Sequence, residues 1–269
     1  MINNQYYEMI LQFTLFSDFF MYAVFSRSKP AITLLARILT GKPDLVVKRW
    51  GMEVKKGLPF FRHVRYDLFV EDMEGNLYNF EIENGGRALG QRALFNLSVL
   101  VSHMLKPNEP FRVLNESWVV FLTRKDFMRR NEPFYSYEWF DRKWKRILHT
   151  KAHIRFVNGE YRGDDAIGKL MHDFHCTNPD DMFYDELREA VSYFKKEPEG
   201  VNAMCEIMRE FERKSKNEGR AQERQKAKKR TEAIMRNLRE EGMSYEKIAR
   251  ITNQSLSKVK SFFKAKQTA

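Results

Sequence analysis

Asp67, Glu81 and Glu83 are the residues whose type and spacing best suit metal-assisted chemistry. Residues 73–76, Met-Glu-Gly-Asn, have the composition of a tight turn between two strands. Strand alternation places Glu81 and Glu83 on one face, and pairing across the turn puts Asp67 opposite one of them. Directly opposed side chains have Cβ atoms roughly 4.5–5.5 Å apart. Carboxylates that close repel one another, so the pattern predicts a hard divalent cation, most naturally Mg²⁺, bound by all three.

A second interpretation of these acids is a solvent-exposed strand face that carries them only for its polarity. The surrounding sequence favours the metal site, because the acids stand at strand ends directly before the glycine pair at 85–86. A helix that carries Arg87 and Arg92 follows. We therefore take Asp67, Glu81, Glu83 and Arg92 as the candidate catalytic residues.

The elements that position these acids follow the order helix, three strands, helix, strand. Apolar spacing predicts a helix that begins near Pro30 and ends at Gly41, and a second helix over 87–105. From residue 165 onward the pattern is helical. The predicted strands are 45–54, 64–72, 77–83, 117–123, 135–140 and 153–157.

This order, with the two acids spaced as they are, resembles the PD-(D/E)XK nuclease superfamily. More narrowly, Arg-Tyr-Asp-Leu-Phe at 65–69, Tyr-Asn-Phe-Glu-Ile at 78–82 and Gln-Arg-Ala at 91–93 resemble the Rpn family. That family comprises recombination-promoting nucleases and nuclease-family transposases. Phe-Ser-Asp-Phe-Phe-Met at 16–21 and the long segment 157–182 resemble it as well. The resemblance thus covers nearly the whole chain.

The resemblance implies an α/β fold with a PD-(D/E)XK restriction-endonuclease-like core, a mixed central sheet flanked by helices, followed by a helical C-terminal region. It also implies a Mg²⁺-dependent DNA endonuclease linked to recombination, transposition or defence against foreign DNA. Asp67 and Glu81 would then bind the metal. Glu83 stands where the superfamily has a catalytic lysine and this family commonly a glutamine. We interpret Glu83 as a third ligand or general base, or as the trace of a lost activity.

Other residues are given weaker functional interpretations. Asp18 either contributes to the acidic site or caps a helix. His172, His175 and Cys176 have loosely metal-like spacing, but a structural zinc site normally has four ligands, so helix-end or core positions are favoured. The tryptophans expected in the core, not on a base-stacking surface, are Trp118, Trp139 and Trp144.

The positive charge is concentrated at the C-terminal end. Residues 201–269 carry a net charge of +9 of the total +11, which is typical of proteins that bind a polyanion. We predict a nuclease-like domain over 1–165, a helical extension over 166–215 and a basic helical arm over 216–269. Ser244 and Ser255 are predicted N-caps of two short helices that, after a preceding helix, form a helix-turn-helix-like end.

DNA is the partner that this arm favours. One alternative is a catalytically inactive nuclease fold that only binds DNA. The other is a helical module for self-association, which would make the chain a homodimer. Lys266 extends the basic face of the last helix. The predicted DNA-binding residues are Lys226, Lys228, Lys229, Arg230, Ser257, Lys258 and Lys260.

Two classes of protein are disfavoured by the sequence. No run of about 18 uncharged apolar residues occurs, so a membrane-spanning helix is not expected. The apolar stretch 10–25 contains Asp18 and is interpreted as core, not as a signal peptide. With two cysteines in 269 residues, a disulfide framework is not expected either, which favours the cytoplasm.

Overall fold

The computed structural model describes residues 4–57, 63–85 and 87–264. Gly86 and Lys266, which the sequence analysis names, lie outside these ranges. The helices are α1 Asn4–Gln12, α2 Asp18–Arg27, α3 Lys29–Thr40, α4 Leu89–Ser102, α5 Ala166–His175, α6 Asp185–Lys196, α7 Pro198–Glu240, α8 Tyr245–Thr252 and α9 Leu256–Lys264. The strands are β1 Val47–Lys56, β2 Val64–Asp72, β3 Leu77–Glu83, β4 Ser117–Thr123, β5 Phe134–Tyr137, β6 Phe140–Asp141, β7 Arg146–Ile147 and β8 Ala152–Asn158.

The chain divides into two compact units, residues 1–208 and 209–269. The first unit is mixed α/β and contains a six-stranded sheet with the strand order β1-β2-β3-β4-β8-β5. The strands β1, β2 and β3 are antiparallel, β3, β4 and β8 are parallel, and β5 returns antiparallel along β8. The expected mixed central sheet flanked by helices is therefore confirmed.

The sheet is covered on both faces, which explains why β4 is buried along its whole length. One face packs against α4 through a cluster that includes Leu97 and Phe121. The other face packs against the N-terminal helices together with α5 and α6, in a cluster that includes Phe20 and Phe174. Buried Lys195 of α6 donates to the backbone carbonyls of Leu11 (3.0 Å) and Phe13 (2.6 Å), so α6 is bound to the N-terminal segment by hydrogen bonds as well.

Local signals fix several boundaries as the sequence predicts. The Ser28 hydroxyl accepts from the Ala31 N–H at the start of α3, and Gly41 ends that helix with φ +74°. The β2–β3 turn is closed by Asp72, whose carboxylate accepts from the N–H groups of Glu74 and Asn76, each at 2.9 Å, and from the Tyr78 hydroxyl at 2.6 Å. Asp72 thus has a structural role in the hairpin.

One predicted strand is wrong in its extent. The run 135–140 divides into β5 and the first strand of a separate two-stranded sheet, β6–β7. Trp118 lies in the core as expected, with 7% of its surface exposed. Trp139 and Trp144 do not, since they are 49% and 69% exposed beside β6 and in the β6–β7 turn. Strands of two residues are too short to cover such large side chains, so the prediction of core positions is wrong for both.

The second unit, residues 209–269, contains the C-terminal part of α7 together with α8 and α9. Met235, Ile248 and Val259 form its small apolar core. Ser244 and Ser255 accept from the N–H groups three residues later, which confirms both predicted N-caps. The helix predicted to precede these two is instead the end of the 43-residue α7. In the part of the chain that the structure describes, no helix is long and apolar enough to cross a membrane.

Candidate metal centre

The predicted acids meet at the open end of the β2–β3 hairpin. The paired residues Leu68↔Phe80 and Val70↔Tyr78 set the register, and its continuation by one residue puts Asp67 opposite Glu81. Phe80 belongs to the core cluster on the side of the N-terminal helices. Glu81, one residue on, lies on the opposite face, beneath α4. The alternation predicted from the sequence is therefore confirmed.

The regular ladder is interrupted on both sides of Asp67. Towards β3, the Asp67 carboxylate itself accepts from the Ile82 N–H at 3.1 Å, in place of a backbone carbonyl. Towards β1, the pairs that bracket Asp67 leave Glu53 opposite it, and Glu53 has φ +50°. A left-handed conformation is costly for glutamate, so this irregularity is held by the surrounding sheet.

Glu81 is the most buried acid of the cluster, with 4% of its surface exposed. Its Oε1 atom is buried and, among the described residues, has no hydrogen-bond partner. Asn79, two residues earlier on the same face, is fully buried with both polar side-chain atoms in the same condition. A buried polar atom without a partner costs roughly 1–3 kcal/mol, and more when it is charged. The Asn79 amide is nevertheless close enough to lower the pKa of the Glu81 carboxyl, so the two buried side chains form one polar group.

The pKa values of both buried acids are raised. Burial is the main cause for Glu81, and the neighbouring Asp67 carboxylate raises its pKa further. Burial also dominates for Asp67, whose pKa the Ile82 hydrogen bond lowers and the Asp18 carboxylate raises. Each charged carboxylate therefore disfavours the charge on the other. The pair lacks sufficient compensation by positive charge, a condition that a bound cation relieves.

Glu83 and Arg92 form an ion pair at the edge of the cluster. Arg92, in the first turn of α4, donates to Glu83, and its Nη2 atom lies 3.7 Å from Glu81. Glu83 also accepts from the Gly85 N–H at 2.7 Å. The structure thus brings all four predicted catalytic residues together. Their positions differ, because Asp67 and Glu81 lie deeper in the cluster whereas Glu83 is ion-paired with Arg92.

Asp18 joins the cluster from α2. Burial is the main cause of its raised pKa, which Arg65 lowers and Glu83 raises. Asn84, the residue after β3, connects that strand to the start of α2. Its Nδ2 atom donates to the Phe16 carbonyl at 3.2 Å and lies 3.4 Å from Asp18 Oδ1. Of the two interpretations given to Asp18, this placement favours the site, although Asp18 is also the first residue of its helix.

The sequence analysis assigned no role to Asn79 or Asn84. A signal existed for both. Asn79 shares the strand face of Glu81 by alternation, and Asn84 directly follows Glu83. An asparagine two residues before Glu81 on its strand face, and another directly after Glu83, are the pattern that would have identified them.

A cavity of about 520 Å³ opens beside Glu83. It lies at the carboxyl ends of the parallel strands, where open α/β sheets commonly bind ligands. Its walls include Thr123 at the end of β4, Asn158 at the end of β8, and Lys125 and Arg129 of the loop after β4. Glu83 is the acid of the cluster that lines this polar pocket, whose walls also carry Asp126 and Glu160 beside the two cations.

A second cluster has ligand atoms suited to a metal, but its carboxylate accepts backbone hydrogen bonds and so has a structural role. Ligand atoms of His172, Asp173 and Cys176 lie within 4.8 Å of one another. Asp173 is fully buried, and its carboxylate accepts from the N–H groups of Phe183 (2.8 Å) and Tyr184 (2.9 Å). Burial, followed by the charge of Asp173, raises the pKa of the Cys176 thiol to about 11. This favours the helix-end interpretation of the sequence analysis. His175 takes another direction and hydrogen-bonds the Gly159 carbonyl.

The predicted DNA-binding residues all lie in the second unit and are all exposed. Within this unit α7 and α9 border a groove of about 560 Å³, whose walls include Lys228 and Lys258. Lys226 and Lys228 pair with acids along α7 at 3.1 and 3.9 Å, contacts that are worth little at such exposure. The full set is Lys226, Lys228, Lys229, Arg230, Ser257, Lys258 and Lys260.

Comparison with known proteins does not assign the site. No family model, no curated protein and no solved structure matches the chain significantly. The functional conclusion therefore depends on the geometry described above.

Proposed function

We propose that the chain is a Mg²⁺-dependent DNA endonuclease with a PD-(D/E)XK-type core, similar to the Rpn family. The observation that carries the proposal is the pair of half-buried Asp67 and buried Glu81, with both pKa values raised and one oxygen of Glu81 without a hydrogen-bond partner among the described residues. Oxygen ligands of this kind suit a hard divalent cation. The succession of antiparallel and parallel strands around the pair also supports this type of core.

The donor set fits the metal, because carboxylates alone would repel one another here. Asp67 and Glu81 would hold it. A bound Mg²⁺ supplies a Lewis acid for the phosphate and acidifies a coordinated water. Glu83 lines the cavity, where its carboxylate can accept a proton from the attacking water. Arg92 donates to Glu83, which fixes the position of that carboxylate and adds positive charge near the phosphate.

The test is nicking of supercoiled plasmid with Mg²⁺ by wild type, Asp67→Asn and Glu81→Gln. Because even residues behind the metal ligands commonly contribute 10- to 100-fold, we expect each variant to lose at least about 100-fold in rate. Glu74→Gln, an exposed acid in the turn of the same hairpin, is the control and should keep full activity. Nicking that survives both substitutions, or that needs no divalent cation, contradicts the proposal.

A DNA-binding protein without nuclease activity is the second candidate. Arg92 favours it, because this cation already donates to Glu83 and lies close to Glu81. In that case the Arg92 guanidinium supplies the positive charge that a bound metal would otherwise supply. The outcome that selects this candidate is a wild type as inert as both variants, with DNA still retarded on a gel.

The basic second unit supports DNA as the substrate. Its predicted contact residues are exposed, and α9 carries Lys258 and Lys260 on its solvent-exposed surface. Phosphate contacts from such a helix give affinity that depends strongly on salt. The second unit would therefore supply binding, and the acid cluster hydrolysis.

The contribution of α9 is measured by the salt dependence of duplex binding. Each lost phosphate contact lowers the slope of log K against log salt by about 0.9. We expect that reduction for Lys258→Ala. Lys247→Ala, an exposed lysine of α8, is the matched control and should leave the slope unchanged. Equal slopes for wild type and Lys258→Ala would assign the helix to self-association instead.

A further inference from the structure

The β6–β7 hairpin is an exposed structure with both aromatic and basic side chains. All residues from 136 to 151 are exposed. Among them are Trp139, Phe140 and Trp144, of which Trp144 is 69% exposed. Residues 138–151 also contain five lysines and arginines against two acids. Large exposed aromatic side chains are unusual on a protein surface without a binding role.

The hairpin is held in shape by its own hydrogen bonds. Phe140 pairs with Ile147, the Leu148 N–H donates to the Trp139 carbonyl at 2.8 Å, and the Asp141 carboxylate accepts from the Trp144 N–H at 2.6 Å. The tip therefore presents Trp144 together with the lysines beside it. Lys143 lies 5.2 Å from the centre of the Trp144 ring. Aromatic planes and cations alternate over a short, defined surface.

This surface continues towards the acid cluster. An apolar cavity of about 370 Å³ has Trp139, Tyr137 and Phe156 in its walls. Phe127 lines this cavity and also the polar cavity that opens beside Glu83. The two cavities are thus neighbours that share the Phe127 side chain. Because Glu83 lines the polar cavity, the two cavities connect the hairpin to the edge of the acid cluster.

We propose that the β6–β7 hairpin binds a single strand of nucleic acid, with bases stacked on Trp144 and Trp139 and phosphates on the neighbouring lysines and arginines. Single strands are recognised by this combination of π-faces and positive charge, whereas paired bases offer no free face for stacking. A second copy of this chain fits less well, because the hairpin would face its own positive charge. This binding site deepens the proposed function, because it names an unpaired strand as the molecule that reaches the acid cluster. Only the path from the hairpin to the acids rests on the proposed nuclease function; binding at the hairpin does not.

The experiment measures binding of a fluorescent oligonucleotide to the full chain carrying Asp67→Asn, so that cleavage does not interfere. Stacking on one aromatic side chain is worth about 5- to 100-fold in affinity by alanine substitution. We expect that loss for Trp144→Ala and recovery to within about 3-fold for Trp144→Phe, since phenylalanine keeps the π-face. Both variants keep the C-terminal basic residues, so their difference reports the hairpin alone.

Phe111→Ala is the matched control, because Phe111 is an aromatic residue outside the hairpin and is 81% exposed. It should bind like the parent. Quenching of tryptophan fluorescence by the oligonucleotide, reduced in the Trp144 variants to the part that comes from Trp139, gives an independent readout. DNA and RNA strands of one sequence identify the source of the single strand, and a loss in Trp144→Ala with either supports the proposal.

Three results overturn it. One is unchanged single-strand affinity in Trp144→Ala. Another is an equal loss of affinity for duplex in Trp144→Ala, which would indicate that the hairpin binds through its charge and not through base stacking. The third is altered sedimentation with unaltered oligonucleotide binding, which would make the hairpin a contact between copies of the chain. A wild type that binds through Trp144 but does not nick plasmid would refute only the nuclease, so the two proposals fail separately.

Discussion

Two hairpins of the first unit, β2–β3 and β6–β7, have opposite properties. The open end of β2–β3 is acidic and largely buried, and its register places Asp67 opposite Glu81. The β6–β7 hairpin is exposed and basic, and its ladder is too short to cover its aromatic residues. One hairpin concentrates negative charge where water is scarce. The other displays positive charge where water is plentiful.

The difference shows what each kind of function requires of a strand pair. Binding a divalent cation needs carboxylates that are close, desolvated and held by a complete sheet, because burial strengthens their attraction for the metal. Contact with a flexible polyanion needs reach and exposure, and it tolerates screening by salt. The acid cluster therefore lies at the centre of the sheet, and the aromatic surface lies on a projection from its edge.

The largest expected effect concerns pH and metal at the buried hairpin. A raised pKa in the folded state stabilises the fold at low pH, and that stabilisation is lost as pH rises through the raised value. Glu81→Gln removes the charge, so we expect the variant to gain on wild type by roughly 1–3 kcal/mol in unfolding free energy between pH 5 and pH 9. Urea unfolding in a chelator measures it.

Two further readouts sharpen that experiment. Mg²⁺ at about a hundred times its dissociation constant should stabilise wild type at pH 8 by about 2.7 kcal/mol and leave Glu81→Gln unaffected. Glu83→Gln is the contrasting control, since it breaks the ion pair with Arg92 and should lower stability at the higher pH. If the unfolding free energies of wild type and Glu81→Gln change with pH in parallel, Glu81 carries no uncompensated charge in the folded state.

A smaller effect is expected at Arg92. Arg92→Met deletes an α4 side chain that donates to Glu83, so metal-free stability at pH 8 should fall by on the order of 1 kcal/mol. Affinity for Mg²⁺ should rise, because a competing cation is gone. Calorimetric titration checks it, with exposed Arg87→Met as the control. Weaker Mg²⁺ binding in Arg92→Met would instead make the arginine part of the metal centre.

Alternation and turn composition predicted the buried hairpin well. The turn at 73–76, the face shared by Glu81 and Glu83, and the meeting with Asp67 all follow from local rules that hold inside a sheet. The engagement of Glu83 by Arg92 and the left-handed Glu53 do not follow from local rules. They depend on how α4 and β1 pack, which is tertiary information.

The exposed hairpin shows the limit of the same reasoning. The sequence around Trp139 has strand character, so a continuous strand over 135–140 with Trp139 in the core was the natural expectation. The lysines and arginines that follow Trp139 were the available contrary signal, because five cations in the 14 residues 138–151 do not fit a buried segment. The same kind of signal identified Ser255 and the exposed lysines of α9 correctly, since an N-cap and a charged helix face are local properties.

The smallest expected effect on stability is at the tip of the exposed hairpin. Lys143→Ala deletes a cation as Arg92→Met does, but within the described ranges Lys143 contacts only the face of an exposed ring. Unfolding free energy should therefore stay within about 0.5 kcal/mol of wild type at any pH between 5 and 9. Single-strand affinity should nevertheless fall, and its salt slope should fall by about 0.7, as for one lost phosphate contact. A stability loss as large as that of Arg92→Met would mean that the tip is packed against other residues. The two hairpins would then differ in the sign of their charge but not in their exposure to solvent.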